Sequence, residues 1–243
     1  MSRRTRMVVF VLGAAGVAVL FVLAVLRTPG FGEDRHPYRD AAIDAALRQR
    51  TPNVVSSLNF DQRGFDSVGE EAILVAAVIG AATLLRRWSD PAEADEPRPV
   101  PAVTRLAGYV LLPVTLLIGA DVVVHGHLTP GGGFQGGVVL ATGLHLLYIA
   151  GDYRALVRAR PLDWYEFGEA AGLGAVVLLG VASVLRGAGF LANILPLGTS
   201  GQLLSAGVVP LFSCAIGLAV SCGVVVLLAQ FLAQYLPTKG DSA

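Results

Sequence analysis

Asp121, His145 and Glu169 are ionisable residues set inside long apolar runs. Such groups are costly in hydrocarbon and tend to face bundle interiors or polar pathways, so proton relay or ion contact is the chemistry they suggest. Asp121 stands about one helical turn from the end of its run, where a carboxylate can reach water, and a structural helix-end role fits it equally. His145 lies deeper. The ordinary imidazole pKa of about 6.5 suits a relay, with a neutral hydrogen-bonded side chain as the alternative.

His125 and His127 form an HxH pair beside Asp121, which raises the question of a metal. A catalytic zinc needs three protein ligands, a water and hydrogen-bonded support for the ligands. That set is not visible, and neither a metal nor any other cofactor is expected. The two histidines open HGHLTPGGGFQGG, residues 125–137, in which six of thirteen positions are glycine. Glycine frees the backbone to take positive φ and lets a second backbone approach closely, so the turn is built for tight docking. Gly131, Gly133 and Gly136 also spell GxGxxG. That fingerprint marks a dinucleotide site only after a strand, inside a soluble βαβ unit and with an acid about twenty residues on. Here apolar runs flank it, and no nucleophile elbow, zincin helix or Ser/Lys pattern occurs, so no enzymatic activity is expected.

The elements that must position these residues are membrane spans. The chain is 54% hydrophobic, 15% charged and has a mean hydropathy of +0.64. Net charge is zero and no basic tract follows a phosphate backbone, which argues against nucleic acid as a partner. Cys214 and Cys222 share one apolar run about 12 Å apart, too far to pair, and read as small core residues. Of eighteen basic residues, seventeen are arginine, and the single lysine, Lys239, lies in the tail. No lysine is therefore available in mid-membrane, where burial can tune its proton affinity for pumping.

Residues 7–26 are long enough to cross a hydrocarbon core of about 30 Å and follow Arg3, Arg4 and Arg6. A signal peptide would have a shorter apolar region and a small-residue cleavage site, so a retained helix is expected. A polar segment, 27–67, contains a helix-like piece around 38–48. Asp61, Arg63, Asp66, Glu70 and Glu71 then crowd the start of a second run ending at Leu85. Acids there suit the helix dipole, so their residue-level reading is a solvated helix start. Arg86, Arg87 and Trp88 close that run, and a Pro- and acid-rich linker, 89–104, follows.

The third run, 106–124, carries Pro113. The fourth follows the glycine turn and holds His145. Arg154, Arg158, Arg160, Trp164 and Tyr165 mark an interface. The fifth, about 167–185, contains Gly168 and Gly172 as GxxxG, a helix-packing pattern. The last, 203–236, is too long for one straight crossing, and Pro210 either kinks it or ends an interfacial piece. The expectation is an all-α integral membrane protein of about six spans. The arginine distribution places the N-terminus and C-terminus in the cytoplasm.

Two stretches resemble known families. GHLTPGGGFQGGVVLATGLHLLYIAG and SGQLLSAGVVPLFSCAIGLAVSCG, within about 103–235, resemble the B subunit (MnhB/MrpB) of Mrp-type multisubunit sodium/proton antiporters. The same module is similar to subunits of membrane-bound hydrogenases and related energy-converting complexes. TPNVVSSLNFDQRGFDSVGEEAILVAAVIGAATLLR, in the first 87 residues, resembles the small MbhE-type module found at the end of the large antiporter subunit or as its own polypeptide. The implied organisation is a two-helix module over 1–88, a cytoplasmic linker over 89–104 and a four-helix MnhB-like domain over 105–243.

The resemblance implies a non-enzymatic subunit of a bacterial or archaeal cell membrane. It would work beside large antiporter-like subunits that carry lysine- and glutamate-based proton channels. It also assigns a signature turn, His125, His127, Pro130, Gly131, Gly132, Gly133, Phe134, Gln135, Gly136 and Gly137. A second signature comprises Arg63, Gly64, Phe65, Asp66, Gly69 and Glu70. Glu70 is the first candidate for an ion or proton path, with Asp66, Asp121 and His145 behind it. A subunit of a redox-driven complex and a purely structural scaffold are the alternatives. The chain has no Cys cluster for iron–sulfur ligation, so redox centres would lie elsewhere.

Overall fold

The computed structural model describes residues 2–28, 32, 34, 36–85, 100–150 and 161–232. Arg86, Arg87, Trp88, most of the linker, Arg154, Arg158, Arg160 and Lys239 lie outside them. All regular elements among the described residues are helical. They are α1 (Arg3–Leu26), α2 (Pro37–Arg48), α3 (Val54–Ser57), a π-helical turn (Leu58–Gln62), α4 (Gly64–Leu85), α5 (Ala102–Val124), α6 (Gly133–Ile149), α7 (Leu162–Leu185) and α8 (Val209–Leu232).

Five of these, α1, α4, α5, α7 and α8, are long and apolar enough to cross a membrane. At 17 residues α6 is about 25 Å long and falls at the short end of the spanning range. The protein is thus an all-helical, multi-pass membrane protein with about the expected number of crossings. Residues 1–40 and 41–243 form two compact units. In the first, Ser2 caps α1 by accepting from the Thr5 amide at 3.2 Å, and no α1 residue is buried. A helix apolar on every side and exposed on every side is matched to lipid.

In the second unit α8 is the centre. Its spanning window is 61% buried, against 11% for α4 and 17% for α5, and it touches α4, α5, α6 and α7. Small residues make this possible, because membrane helices gain little from apolar burial alone and depend on close backbone approach. Val209, Phe212, Ile216 and Val220 of α8 join Phe60, Val176 and Leu191 in one cluster. The Phe60 and Phe212 rings lie 5.1 Å apart. Cys222 is buried, whereas Cys214 is exposed, so only one of the two cysteines is the core residue expected.

The long last run resolves at Pro210. α8 begins at Val209, and residues 203–208 are turns rather than an interfacial helix. A proline in a first helical turn loses no intrahelical hydrogen bond. Asn193 closes the approach by donating to the Ala206 carbonyl at 3.0 Å and accepting from the Val208 amide at 2.9 Å. The turn passes through Ala206 and Gly207 at φ 65° and 61°.

Candidate functional site

The glycine turn joins α5 to α6. Gly131 and Gly132 take φ of 157° and 139°, a region that favours glycine, and the Gly132 amide donates to the Val122 carbonyl at 3.1 Å. The first turn of α6 then faces two helices. A Cβ on Gly133 would stand 2.9 Å from the Gly217 nitrogen and Ile216 Cβ of α8, and one on Gly137 would stand 2.8 Å from Val220 Cβ. A Cβ on Gly136 would meet the Gly119 carbonyl and Val123 nitrogen of α5, both at 2.8 Å. Ser213 ties the junction by donating to the buried Val123 carbonyl at 2.9 Å.

The stretch that leads into the second signature, from Asn53 to Gly64, holds this turn. Asn53 Nδ2 donates to the carbonyls of Gly126 and Thr129 at 2.7 and 2.8 Å, and the Asn53 amide donates to the His127 carbonyl at 3.1 Å. Its Oδ1 accepts from Val55 and Ser56, which caps α3. Phe60 packs towards Gly132, while Gly64 meets Phe212 and Leu191. Arg50 donates to the Gly198 carbonyl. His127 is 0% exposed, enclosed by backbone of Val124, Gln202 and Leu203, and burial holds its imidazole below the ordinary histidine pKa. Pro130 and Gln135 are exposed, and Phe134 packs against the central cluster.

The four path candidates do not converge. Asp121 is exposed at the end of α5, with Oδ1 2.8 Å from His125 Nδ1. His145 is half-buried on α6, facing the level of Leu112 and Leu116, about 14 Å along the hairpin from Asp121. Asp66 and Glu70 are both exposed on α4, and Asp66 pairs with Arg63 at 2.5 Å. Phe65 is exposed against the Phe190 ring, and a Cβ on Gly69 would meet open space. Among the described residues, no group of three or more His, Cys, Asp or Glu is placed to hold a metal.

Two buried carboxyls lie elsewhere. Glu71 is 0% exposed and Glu169 6%, and among the described residues neither Glu71 oxygen nor Glu169 Oε1 has a hydrogen-bond partner. α4 buries Gly64, Ser67, Glu71 and Val78, one helical face, and leaves Glu70, about 100° round the helix from Glu71, exposed. For Glu71 the expected solvated helix start is thus wrong, because this residue lies on the packed face of α4. The signal was present in that spacing of small and polar residues, which marks the packed face of a membrane helix. α7 buries Gly168, Glu169, Gly172 and Val176, and the GxxxG pair packs as expected. Gly168 lies against Cys222, and Gly172 against Ala215 and Ala219.

Residues 103–226, which contain the glycine turn, α6, α7 and most of α5 and α8, match the family described as a domain related to the MnhB subunit of Na+/H+ antiporters. The chain belongs to the MnhB family. An uncharacterised protein of Methanocaldococcus jannaschii is 30% identical over 199 residues, 71% of this chain and 74% of that one. A probable K(+)/H(+) antiporter A/B subunit of Rhizobium meliloti is 30% identical over 203 residues, 71% of this chain and 20% of that longer protein. Among solved structures, a chain of an archaeal respiratory complex, the membrane-bound sulfane sulfur reductase, superposes with a TM-score of 0.73 at 26% identity. That match covers 94% of this chain and 98% of that one. A chain of the Mrp complex from Dietzia shares the fold, with a TM-score of 0.68 at 23% identity over 100% of this chain and 27% of that one. As an MnhB-family member, the protein belongs to a family of transporter subunits, and its named relatives are parts of larger assemblies.

Proposed function

We propose that this chain is a membrane subunit of a multisubunit monovalent cation/proton antiporter, where it contributes to assembly and to the ion or proton path. The observation that carries the reading is the match of the MnhB domain over the glycine turn and the helices around it. The Rhizobium relative supports it, since its name joins the A and B subunits of an antiporter. In this reading residues 1–88 are an MbhE-like module fused to the MnhB-like domain, both termini are cytoplasmic, and the chain catalyses no reaction. Its partners are large antiporter-like subunits. Glu70 and Asp66, exposed on α4, serve the path at a subunit boundary, and Asp121 and His145 serve it along the α5–α6 hairpin.

A second reading, membership of a respiratory, redox-driven membrane complex, is favoured by the near end-to-end match to the sulfane sulfur reductase chain. Tagged purification in gentle detergent, with mass spectrometry of what accompanies the chain and reconstitution of the complex in proteoliposomes, separates them. Large antiporter-like partners and cation-dependent proton movement support the antiporter. Co-purifying redox subunits and absence of exchange would replace it with the respiratory complex.

A further inference from the structure

α4, α7 and α8 carry no Lys, Arg or His, yet they enclose Glu71 and Glu169. Among the described residues, the groups facing these carboxyls are Glu71 from α4, Tyr165, Glu166 and Glu169 from α7, and Cys222 from α8. Glu71 is within electrostatic reach of Glu169, Glu169 of Glu166 and of Cys222, and Cys222 of Tyr165. A structural ion pair is therefore excluded on these helices. An ionised carboxylate without a partner in such surroundings costs several kcal/mol, so a buried acid must be satisfied by a proton.

The packing sets the two acids at successive depths. Gly64 of α4 meets Phe212 near the start of α8, and Val78 meets Gly223 fourteen residues later, so α4 and α8 run parallel. Glu71 lies midway, about 10 Å from either level. Glu169 stands at the Gly223 level, where a Cβ on Gly223 would be 2.6 Å from its Oε1, so the missing side chain leaves the carboxyl its space. Beyond Glu71, Ser67 lies one turn up the same face and donates to the Asn59 carbonyl at 2.8 Å, and the half-buried Asp61 follows in the π-helical turn. Burial holds Asp61 above the ordinary carboxylate range. Beyond Glu169, the exposed Glu166 lies one turn along α7. Together these groups step along most of the height of the bundle.

We propose that Glu71 and Glu169 are the inner stations of a proton-conducting seam between α4, α7 and α8, entered through Asp61 and Ser67 at one end and Glu166 at the other. Each step moves one proton from one oxygen to the next, the Ser67 hydroxyl releasing its own proton as it accepts one, with water completing the gap of about two turns between the two glutamates. The carriage of protons, rather than metal cations, follows from the geometry, since two carboxyls on different levels do not converge on one coordination shell. This deepens the antiporter reading and rests on it for the direction of use. The seam differs from the Glu70 path, because Glu70 is exposed, about 100° round α4 from the buried Glu71.

The test uses the intact complex with Glu71→Gln, Glu169→Gln and Glu71→Asp in this chain. Infrared spectra across a pH titration, with and without deuterium exchange, are recorded beside proton movement in proteoliposomes. The protonated-carboxyl band should be present in the wild type and reduced in each Gln variant. Proton movement should fall on the order of a hundredfold in the Gln variants, with partner subunits still co-purifying, and recover in part in Glu71→Asp. Wild-type spectra in both Gln variants, or wild-type proton movement in both, would overturn the seam. If the wild-type complex moves protons without cation exchange, and the Gln variants reduce that movement together with the band, the antiporter reading falls and the seam stands.

Discussion

Asn53 Nδ2 donates to the carbonyl of Gly126 over 2.7 Å although the two residues lie 73 apart in the chain. With the second donation to Thr129 and the backbone bond to His127, one asparagine satisfies three carbonyls of a turn whose glycines leave it few side chains of its own. Unpaired carbonyls at the end of a membrane helix are expensive, and this contact removes them.

Asn53→Ala should therefore lower stability by about 2–3 kcal/mol, two donations plus a helix cap, and loosen the glycine turn. Asn53→Asp keeps the cap acceptor but offers no donor to Gly126 or Thr129, so it should be nearly as harmful. Thermal unfolding in detergent, with proteolysis within residues 125–132 as a local readout, checks both.

Gly133→Ala and Gly137→Ala should separate α6 from α8, because the new methyl meets backbone and Cβ atoms of a helix that has no room to retreat. Losses of about 1–3 kcal/mol are expected. Gly69→Ala meets open space and should be neutral or stabilising by a few tenths of a kcal/mol to about 1 kcal/mol. Equal losses at all three positions, measured by the same unfolding assay, would contradict this packing.

His127 gives a pH dependence with a definite sign. Its imidazole is held below the ordinary value by burial, so below about 6.5 the unfolded chain binds a proton that the folded chain resists. Its stabilising contribution is full above that pH and is lost as pH falls through the folded value. The difference in unfolding temperature between wild type and His127→Gln, scanned from pH 8 to 5, should change in that direction and isolate His127 from the other histidines.

Phe60→Ala should cost about 3–5 kcal/mol, since Phe60 is 2% exposed, faces Phe212 and lies beside Gly132. Phe65→Ala, on an exposed ring one turn further along, should change the stability of the isolated chain far less. The pair separates packing within this chain from contacts that the exposed face of α4 makes in the assembly.

Much of the fold is legible in the sequence. Runs of apolar residues define helices because a bilayer leaves the backbone few other ways to satisfy its hydrogen bonds, and their lengths follow from its thickness. The clustered glycines of 125–137 announced a close approach. α6 came out a turn shorter than a typical span, and α8 began at Val209 rather than 203, since Pro210 and the Asn193-braced turn stop the helix from extending upstream.

The sequence by itself determined the helices, their apolar surfaces, the glycine-rich turn and the absence of basic partners on α4, α7 and α8. Hydrophobic length and residue size are properties of each segment taken alone. Only the tertiary structure decided that Asn53 reaches Gly126, that α8 is the central helix, and that Glu71 rather than Glu70 turns inward towards the helix carrying Glu169. Adjacent residues on a helix differ by about 100° in direction, so a single step along the chain exchanges a lipid- or partner-facing acid for a buried one. Which face is buried depends on the helices packed against it.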